Sequence, residues 1–501
     1  MIGEWAYIKG ANKLKNISVL SSRDEPSQIG EGVEMVNGIM GYGSSAFYGI
    51  KAVRFVMGRF SSLKYGARLV HSILGDNSTV SCCEILNNLI FPVHEQHHNN
   101  SFLIATQIQG MSNIAAGATI GSNHNSRTND GEIRAGRGFW PGLSCTLKHS
   151  SVFACFILIA KGDYPYELNI TLPFSLVNNN MVMDQLEVMP AYFWMYNLYA
   201  LERNSWKTKA RDRRKQKVQQ IESDYLAPDT VEEIIQALEQ MESWMKQAGL
   251  PIERMNGTGM FPLDNEDPES KVKIEDDNIL AKGMERHDRK TVILKPRKAM
   301  AAYREMLLYY AIKTLADYLL EKPELAYTDF VIEMESLENN SNERITKWTN
   351  LGGQIVPAFR LDELRDKIGK GEIDSWNDIH AAYDEMNAVY VRDKTRHAWK
   401  VYKYLNRQPS VAGVSEHPLR NFIHFKKELE TLILIRRGIA EQVYKSRAKD
   451  FDDPFRAITY RNKDEMQAVV GNAKDNSFVK LVQERTKVME DMVNNLKKRS
   501  L

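Results

Sequence analysis

Cysteine is scarce: Cys82, Cys83, Cys145 and Cys155 are the four in 501 residues, too few to staple a chain of this length. Cys82 and Cys83 are adjacent and would point to opposite faces of a strand, which does not suit pairing between them. Such usage fits a reducing cytoplasm. An excess of one charge is lacking too. Lys+Arg number 66 against 64 Asp+Glu, a net charge of +2, so no whole-molecule field points to nucleic acid or to a membrane surface. Long apolar runs are missing: residues 152–160 fall well short of the roughly 20 residues that span a bilayer. The opening Met1-Ile2-Gly3-Glu4-Trp5 has neither the basic nor the apolar region of a signal peptide. The expectation is a soluble, cytoplasmic protein without nucleic-acid or membrane partners. An Ile-Gly step comes at once, as in a chain that starts partway through a longer β-helix.

What is present divides the chain in two. Residues 1–177 are rich in Gly, Asn, Ser and β-branched residues, whereas from residue 190 onward Glu, Lys, Met, Ala and Leu dominate. The first composition favours strands and turns, the second helices. In the first half, apolar residues recur at steps near six: Ile29, Met35 and Met40, then Met57, Leu63 and Leu69. After a slip of one residue come Leu74, Val80 and Leu86, with Ile114 and Ile120 later. A six-residue step suits a triangular coil in which each face is a short strand and Gly or Asn turns the corner. One rung cannot bury its own apolar residues, so coils must stack. The expected fold is a left-handed parallel β-helix of the hexapeptide-repeat kind over residues 1–180. A connecting helical and basic segment follows over 181–227, then an α-helical domain over 228–501. The alternative is an antiparallel β-sandwich, whose turns are spaced more widely.

In the second half, Asp229 offers an N-cap with Glu232 three residues on, before Val231, Ile234, Ile235, Leu238, Met241, Trp244 and Met245. Further helical patterning covers residues 298–320, 375–406, 418–448 and 476–498. Residues 256–277 read as a polar loop, and the basic run 203–217 as a solvated linker rather than a nucleic-acid contact. Tyr192, Phe193, Trp194, Tyr196 and Tyr199 read as an apolar seam packing back on the β-helix.

Candidate chemistry gathers in the first half. His94, His97, His98 and His124 fall within 31 residues, among the amides Asn99, Asn100, Asn123 and Asn125. One coil takes about 18 residues, so the two segments could lie on neighbouring coils. Imidazole moves protons near neutral pH, and amides orient sugars. His97, His98 and His124 are therefore the candidate bases, with His94, Asn99, Asn100, Asn123 and Asn125 lining a ligand. Arg127, Arg137 and Lys148 could meet a phosphate or nucleotide-sugar tail. The alternatives are a structural His/Asn ladder at a β-helix corner, solvated surface charge, or metal binding. The histidine spacing matches no recognised zinc pattern.

Ala116-Gly117-Ala118-Thr119 followed by Asn123-His124-Asn125 resembles the site motif of the glucosamine-1-phosphate acetyltransferase/uridylyltransferase family. That resemblance implies acyl transfer from acyl-CoA, with His97 or His98 as base and Asn123 holding the ligand. His124 stands where that family has tyrosine, and Asn125 where it has aspartate. Residues 63–69, 74–102, 113–141 and 162–177 resemble a bacterial family, common in Bacteroides-type organisms, of a hexapeptide-repeat β-helix with a helical domain of unknown function. The resemblance implies a homotrimer. The expected function is transfer to a sugar, sugar phosphate or nucleotide sugar, the alternative being a binding or scaffolding protein whose helical domain docks a partner.

Overall fold

The structure is a computed structural model that describes residues 1–121, 131–250, 261, 278–336, 344–406 and 417–498. The first half is a parallel β-solenoid of about ten coils. Each coil has three faces. The first carries Ser45–Phe47, Ser62–Lys64, Thr79–Ser81 and Glu95–Gln96, stacked in register. The second carries Arg68–Val70, Glu84–Leu86, Phe102–Ile104 and Thr119–Ile120. The third carries Ile73–Leu74, Leu89–Ile90, Thr106–Ile108 and Ile133–Ala135.

The coil is shorter than six-residue steps imply. Glu34 pairs with Lys51 and Lys51 with Arg68, a repeat of 17, varying to 16 at Arg68–Glu84 and 18 at Glu84–Phe102. The missing residue lies at the second corner, between the second and third faces. Inward residues Ala46, Ile50, Ala52, Phe55, Met57, Ser61 and Leu63 are all buried. Three residues separate the inward pair across the first and third corners, but only two separate Ala52 from Phe55 across the second. The one-residue slip between Leu69 and Leu74 is this tight corner; a second short corner, with two residues between buried Val80 and Cys83, then makes Ile85 the core position and leaves Leu86 half-buried.

The tight corner turns on one left-handed residue per coil: Asn16, Asn37, Arg54, His71, Asn87 and Ala105 all have φ between 48° and 58°. For residues other than Gly and Asn this conformation costs about 1–2 kcal/mol each. It persists because each such N–H joins the coil below, as in His71 N–H to the Val53 carbonyl at 2.9 Å and Asn87 N–H to Val70 at 3.0 Å. A corner therefore need not be written in Gly or Asn.

The last coil is capped by an antiparallel pair, Leu176–Asn180 with Gln185–Met189. The outer strand then pairs with Lys290–Ile293, and that with Ile279–Ala281. Neither of these two later strands is signalled by the second half's helical composition; they extend the solenoid's sheet.

The helices are α1 (Tyr192–Tyr196), α2 (Leu198–Ala210), α3 (Pro228–Gln247), α4 (Pro296–Glu321), α5 (Tyr327–Ser336) and α6 (Ala358–Gly369). After them come α7 (Trp376–Leu405), α8 (Phe422–Asp452), α9 (Pro454–Ala457), α10 (Lys463–Val470) and α11 (Ser477–Lys497). α4 is apolar around most of its circumference, as a helix surrounded by others must be; it packs against α3, α7, α8 and α11. α7 and α11 begin at side-chain caps, Ser375 and Asn476. α3 does not begin as its sequence suggests. Its N-cap is Ala227, with Thr230 Oγ1 accepting the Ala227 N–H. Asp229 and Glu232 are thereby released for other work. Among the described residues, no helix is long and apolar enough to cross a membrane.

The helical half grips the solenoid through polar anchors set in an apolar seam. Tyr303 Oη donates to the Pro173 carbonyl at 2.6 Å, and behind it Trp194 Nε1 of α1 donates to Glu305 of α4 at 2.7 Å. The basic run keeps most of its cations exposed, as a solvated segment does, but it is anchored to the solenoid at two places. Buried Arg214 reaches Asp212 and Asp76, while Lys207 and Arg211 both pair with Glu95.

Candidate functional site

The structure disperses the sequence candidates over three corners. His97, His98, Asn99 and Asn100 form the first corner of one coil, with His98 and Asn100 at positive φ. Gly117 on the next coil donates its N–H to the Asn99 carbonyl at 3.2 Å, so the histidine segment and residues 113–121 do lie on neighbouring coils. Lys148 follows the second-face strand Thr146–Leu147 and pairs with Glu167 at 3.1 Å. Arg137 lies at the third corner, between Ile133–Ala135 and Trp140–Pro141. Asn123, His124, Asn125 and Arg127 lie outside the described residues.

His97 is half-buried, and its ring centroid is 4.5 Å from that of exposed His98. Burial and then the neighbouring His98 push the His97 imidazole below its ordinary value, which keeps it neutral and able to accept a proton at pH 7. Glu95 nearby is pushed up by burial, but Lys207 and Arg211 outweigh that and hold it ionised.

His94 is instead part of the solenoid's interior. Its Nδ1 lies 2.8 Å from Ser112 Oγ and its Nε2 3.2 Å from Gln96 Oε1. Gln96 Nε2 continues to Ser101 Oγ at 3.0 Å, and that hydroxyl to Cys83 Sγ at 2.8 Å. Burial pushes His94 down to about 4. Its ring faces no ligand-accessible surface, being fully buried.

Arg137 is equally committed. Only 1% exposed, its guanidinium forks onto Asp229 at 2.7 and 2.9 Å and donates to the Asp224 carbonyl at 2.9 Å. Burial opposes its charge, and Asp229 more than compensates. The next turn of α3 places Glu233 against the solenoid, where it accepts the Cys155 N–H at 2.8 Å. Burial pushes Glu233 up to about 7.

The site that no sequence pattern marked is a cavity of about 470 Å³ where α2, residues 220–226, α4, α7, α8 and α11 meet. Glu222 accepts from Tyr390 Oη and from Lys394 Nζ, the latter at 3.1 Å. Asp224 pairs with Lys209 at 2.8 Å, and Lys313 with Asp317 at 2.7 Å. Tyr225 Oη and Arg436 both donate to Glu202, at 2.9 and 3.0 Å. Burial raises the Glu222 carboxyl, and Lys394 outweighs it, so the group stays ionised. Lys313 likewise keeps its proton, because Asp317 and Asp224 overcome burial. The lining cations Lys209, Lys313, Lys394, Arg436 and Arg485 are thus matched by the acids Glu202, Glu222, Asp224, Asp317 and Glu321, between tyrosine rings.

Behind one wall lies a second buried chain. Tyr310, a residue of the cavity lining, has its Oη 2.9 Å from His397 Nδ1, and His397 Nε2 is 2.8 Å from Glu232 Oε1. Arg344 Nε also donates to Glu232, at 2.5 Å. Among the described residues, no group of three or more His, Cys, Asp or Glu side chains is placed to hold a metal ion.

Fold and site together define a parallel β-solenoid joined to a helical half, with a charge-balanced cavity beside the seam. Residues 1–245 match the family described as Domain of unknown function (DUF4954), and residues 331–500 the one described as Domain of unknown function (DUF6819). The chain is 48% identical over 491 residues to an uncharacterised protein of Treponema pallidum (strain Nichols), an alignment covering 97% of this chain and 64% of that protein. The chain therefore spans less than two thirds of that relative's length. These matches fit an uncharacterised bacterial family. The first of them ends inside α3, the helix that carries Asp229 and Glu233 onto the solenoid.

Proposed function

We propose that this chain is a transferase-like β-solenoid protein acting on a sugar, sugar phosphate or nucleotide sugar, and that the sugar is held in the seam cavity. The carrying observation is the matched set of carboxylates, ammonium and guanidinium groups around tyrosine faces. A polyhydroxylated ring offers donors and acceptors in equal measure and apolar C–H faces, which is what this lining complements. A cavity of some hundreds of Å³ is also of ligand size.

A thermal-shift series with glucosamine 1-phosphate, UDP-N-acetylglucosamine, free N-acetylglucosamine and acetyl-CoA tests this. A sugar-dependent rise in Tm that Tyr390→Phe weakens, and that His97→Ala and His98→Ala leave intact, is expected. A rise lost in the histidine variants alone moves the site to the first corner, where acyl transfer from acyl-CoA would use His97 or His98 as base.

A second reading is a non-catalytic binding or scaffolding protein. The observation that favours it is the use of Arg137 and Arg214 to lock the helical half onto the solenoid rather than to meet a ligand. No shift with any of the four compounds favours this reading. The assembly proposed is a homotrimer. The outward aliphatics Ile39, Val56, Ile73 and Leu89, in register on the third face and each more than a third exposed, support contact between copies. Light scattering at the trimer mass tests it.

A further inference from the structure

Tyr310, His397 and Glu232 come from three helices, α4, α7 and α3, and meet where all three are buried. His397 is fully enclosed, with the Trp348 ring edge-on at 5.5 Å and the Tyr310 ring edge-on at 5.7 Å. Glu232 is ionised, because His397 and Arg344 outweigh the cost of its burial. An ionised carboxylate at Nε2 places the imidazole proton on that nitrogen and leaves Nδ1 as the acceptor. The Tyr310 hydroxyl, 2.9 Å from Nδ1, is then the donor; its other acceptor, the Lys394 carbonyl, is farther at 3.4 Å. A carboxylate that orients an imidazole, and an imidazole that faces a hydroxyl on a cavity wall, is the arrangement by which proteins activate that hydroxyl.

We propose that Tyr310 is the proton-transferring catalytic residue of the seam cavity, acting on a hydroxyl of the sugar-class ligand, with His397 and Glu232 as positioning residues. This rests on the reading of the cavity as the sugar site. The ligand hydroxyl gives its proton to Tyr310 Oη as the phenolic proton passes to His397 Nδ1, and the Glu232 carboxylate holds the imidazolium so formed. The oxygen left on the ligand bonds to the carbonyl carbon of an acyl thioester as its C–S bond breaks, and the leaving sulfur takes the proton back from His397 through Tyr310 Oη, which resets the relay. Tyr310 needs this relay, since burial first, and then the Glu222, Glu232 and Asp229 carboxylates, drive its phenol well above 10.

The test is covalent labelling of the full chain with methanesulfonyl fluoride, read by peptide mass spectrometry. Tyr310 Oη bonds to sulfur, fluoride leaves, and the phenolic proton goes to His397. Labelling of Tyr310 at pH 7.5 is expected, slowed about 10-fold or more in His397→Asn and Glu232→Gln. Absence of labelling in the wild type, or equal rates in both folded variants, overturns the proposal.

The wild-type pH profile decides even where a variant fails to fold. His397 faces Glu232 and Asp229 of α3, Tyr310 of α4, and Arg344; burial, ahead of these, holds its imidazole below the ordinary value. A relay gives a labelling rate already level at neutral pH that falls only in acid. A rate climbing toward about pH 10, as for a free phenol, overturns it. Protection of Tyr310 by UDP-N-acetylglucosamine separates the two readings. Relay-dependent labelling without protection keeps the relay and removes the sugar. Protection with a free-phenol profile keeps the sugar and removes the relay.

Discussion

The solenoid and the helical half bury polar groups in opposite ways. Inside the solenoid they are neutral and settle with their own or adjacent coils. Asn88 donates to the Leu86 and Leu103 carbonyls and accepts from Thr106, and Ser44 Oγ donates to the Gly58 carbonyl. In the helical half and along the seam they are charged and paired across long stretches of chain: Arg137–Asp229, Lys394–Glu222, Arg436–Glu202. A stack of identical coils supplies hydrogen-bond partners every 17 residues or so, and no helix packing does that. Charges drawn from different helices must find each other in three dimensions. Where they do, they line a cavity instead of filling a core.

That contrast predicts where the molecule is most fragile. Removing one member of a buried seam pair leaves its partner's charge unmet, so Arg137→Met should cost about 3–5 kcal/mol in chemical denaturation. The double variant with Asp229→Leu should recover part of it. Full additivity would mean the pair is not a unit. Inside the solenoid the penalty is set by volume: Leu69→Ala should cost about 3–4 kcal/mol as a core cavity, the same at pH 5 and pH 8.

Glu233 sharpens the comparison through pH. Its carboxyl in the folded protein sits near 7, above its ordinary 4.5, so the folded state holds the proton more tightly than the unfolded chain. The stability this brings is complete below about pH 4.5 and is lost as pH rises through 7. Glu233→Gln should therefore match the wild type near pH 4.5 and exceed it at pH 8, by an amount on the order of 3 kcal/mol. His94 has the opposite slope, its folded value of about 4 lying below the ordinary 6.5, so the difference between wild type and variant is the quantity to measure. Equal slopes would mean that the seam admits water to Glu233. The smallest effect belongs to the solenoid's outer surface, where Arg68→Ala breaks an exposed pair with Glu84 at 3.2 Å and should change stability by less than about 0.5 kcal/mol.

The solenoid was legible because its order is local. Ile29, Met35, Met57, Leu63 and Leu74 point inward where the repeat places them, and even the slip after Leu69 has a meaning in the tight corner. The long helices were legible from apolar periodicity and from caps such as Ser375. The strands Ile279–Ala281 and Lys290–Ile293 were not, because they become strands only by adding to a sheet edge built a hundred residues earlier.

The cavity was illegible for the same reason. Glu222, Tyr310, Lys394 and Arg436 share no spacing and no motif, and converge only when α4, α7 and α8 pack. A histidine-rich segment draws the eye in a sequence, yet His94 serves the solenoid's interior. Asp229 and Glu232 look like a helix start because an acid near an N-terminus has a local use; here Thr230 closes the cap, and the acids reach Arg137 and His397 instead.

The most direct test of the cavity as ligand site is hydrogen exchange of the full chain with and without saturating UDP-N-acetylglucosamine. Slowed exchange in residues 220–226 and in the α7 segment around Tyr390 and Lys394, with residues 95–101 unchanged, is the predicted result. Protection confined to residues 95–101, or none in either segment, would contradict it.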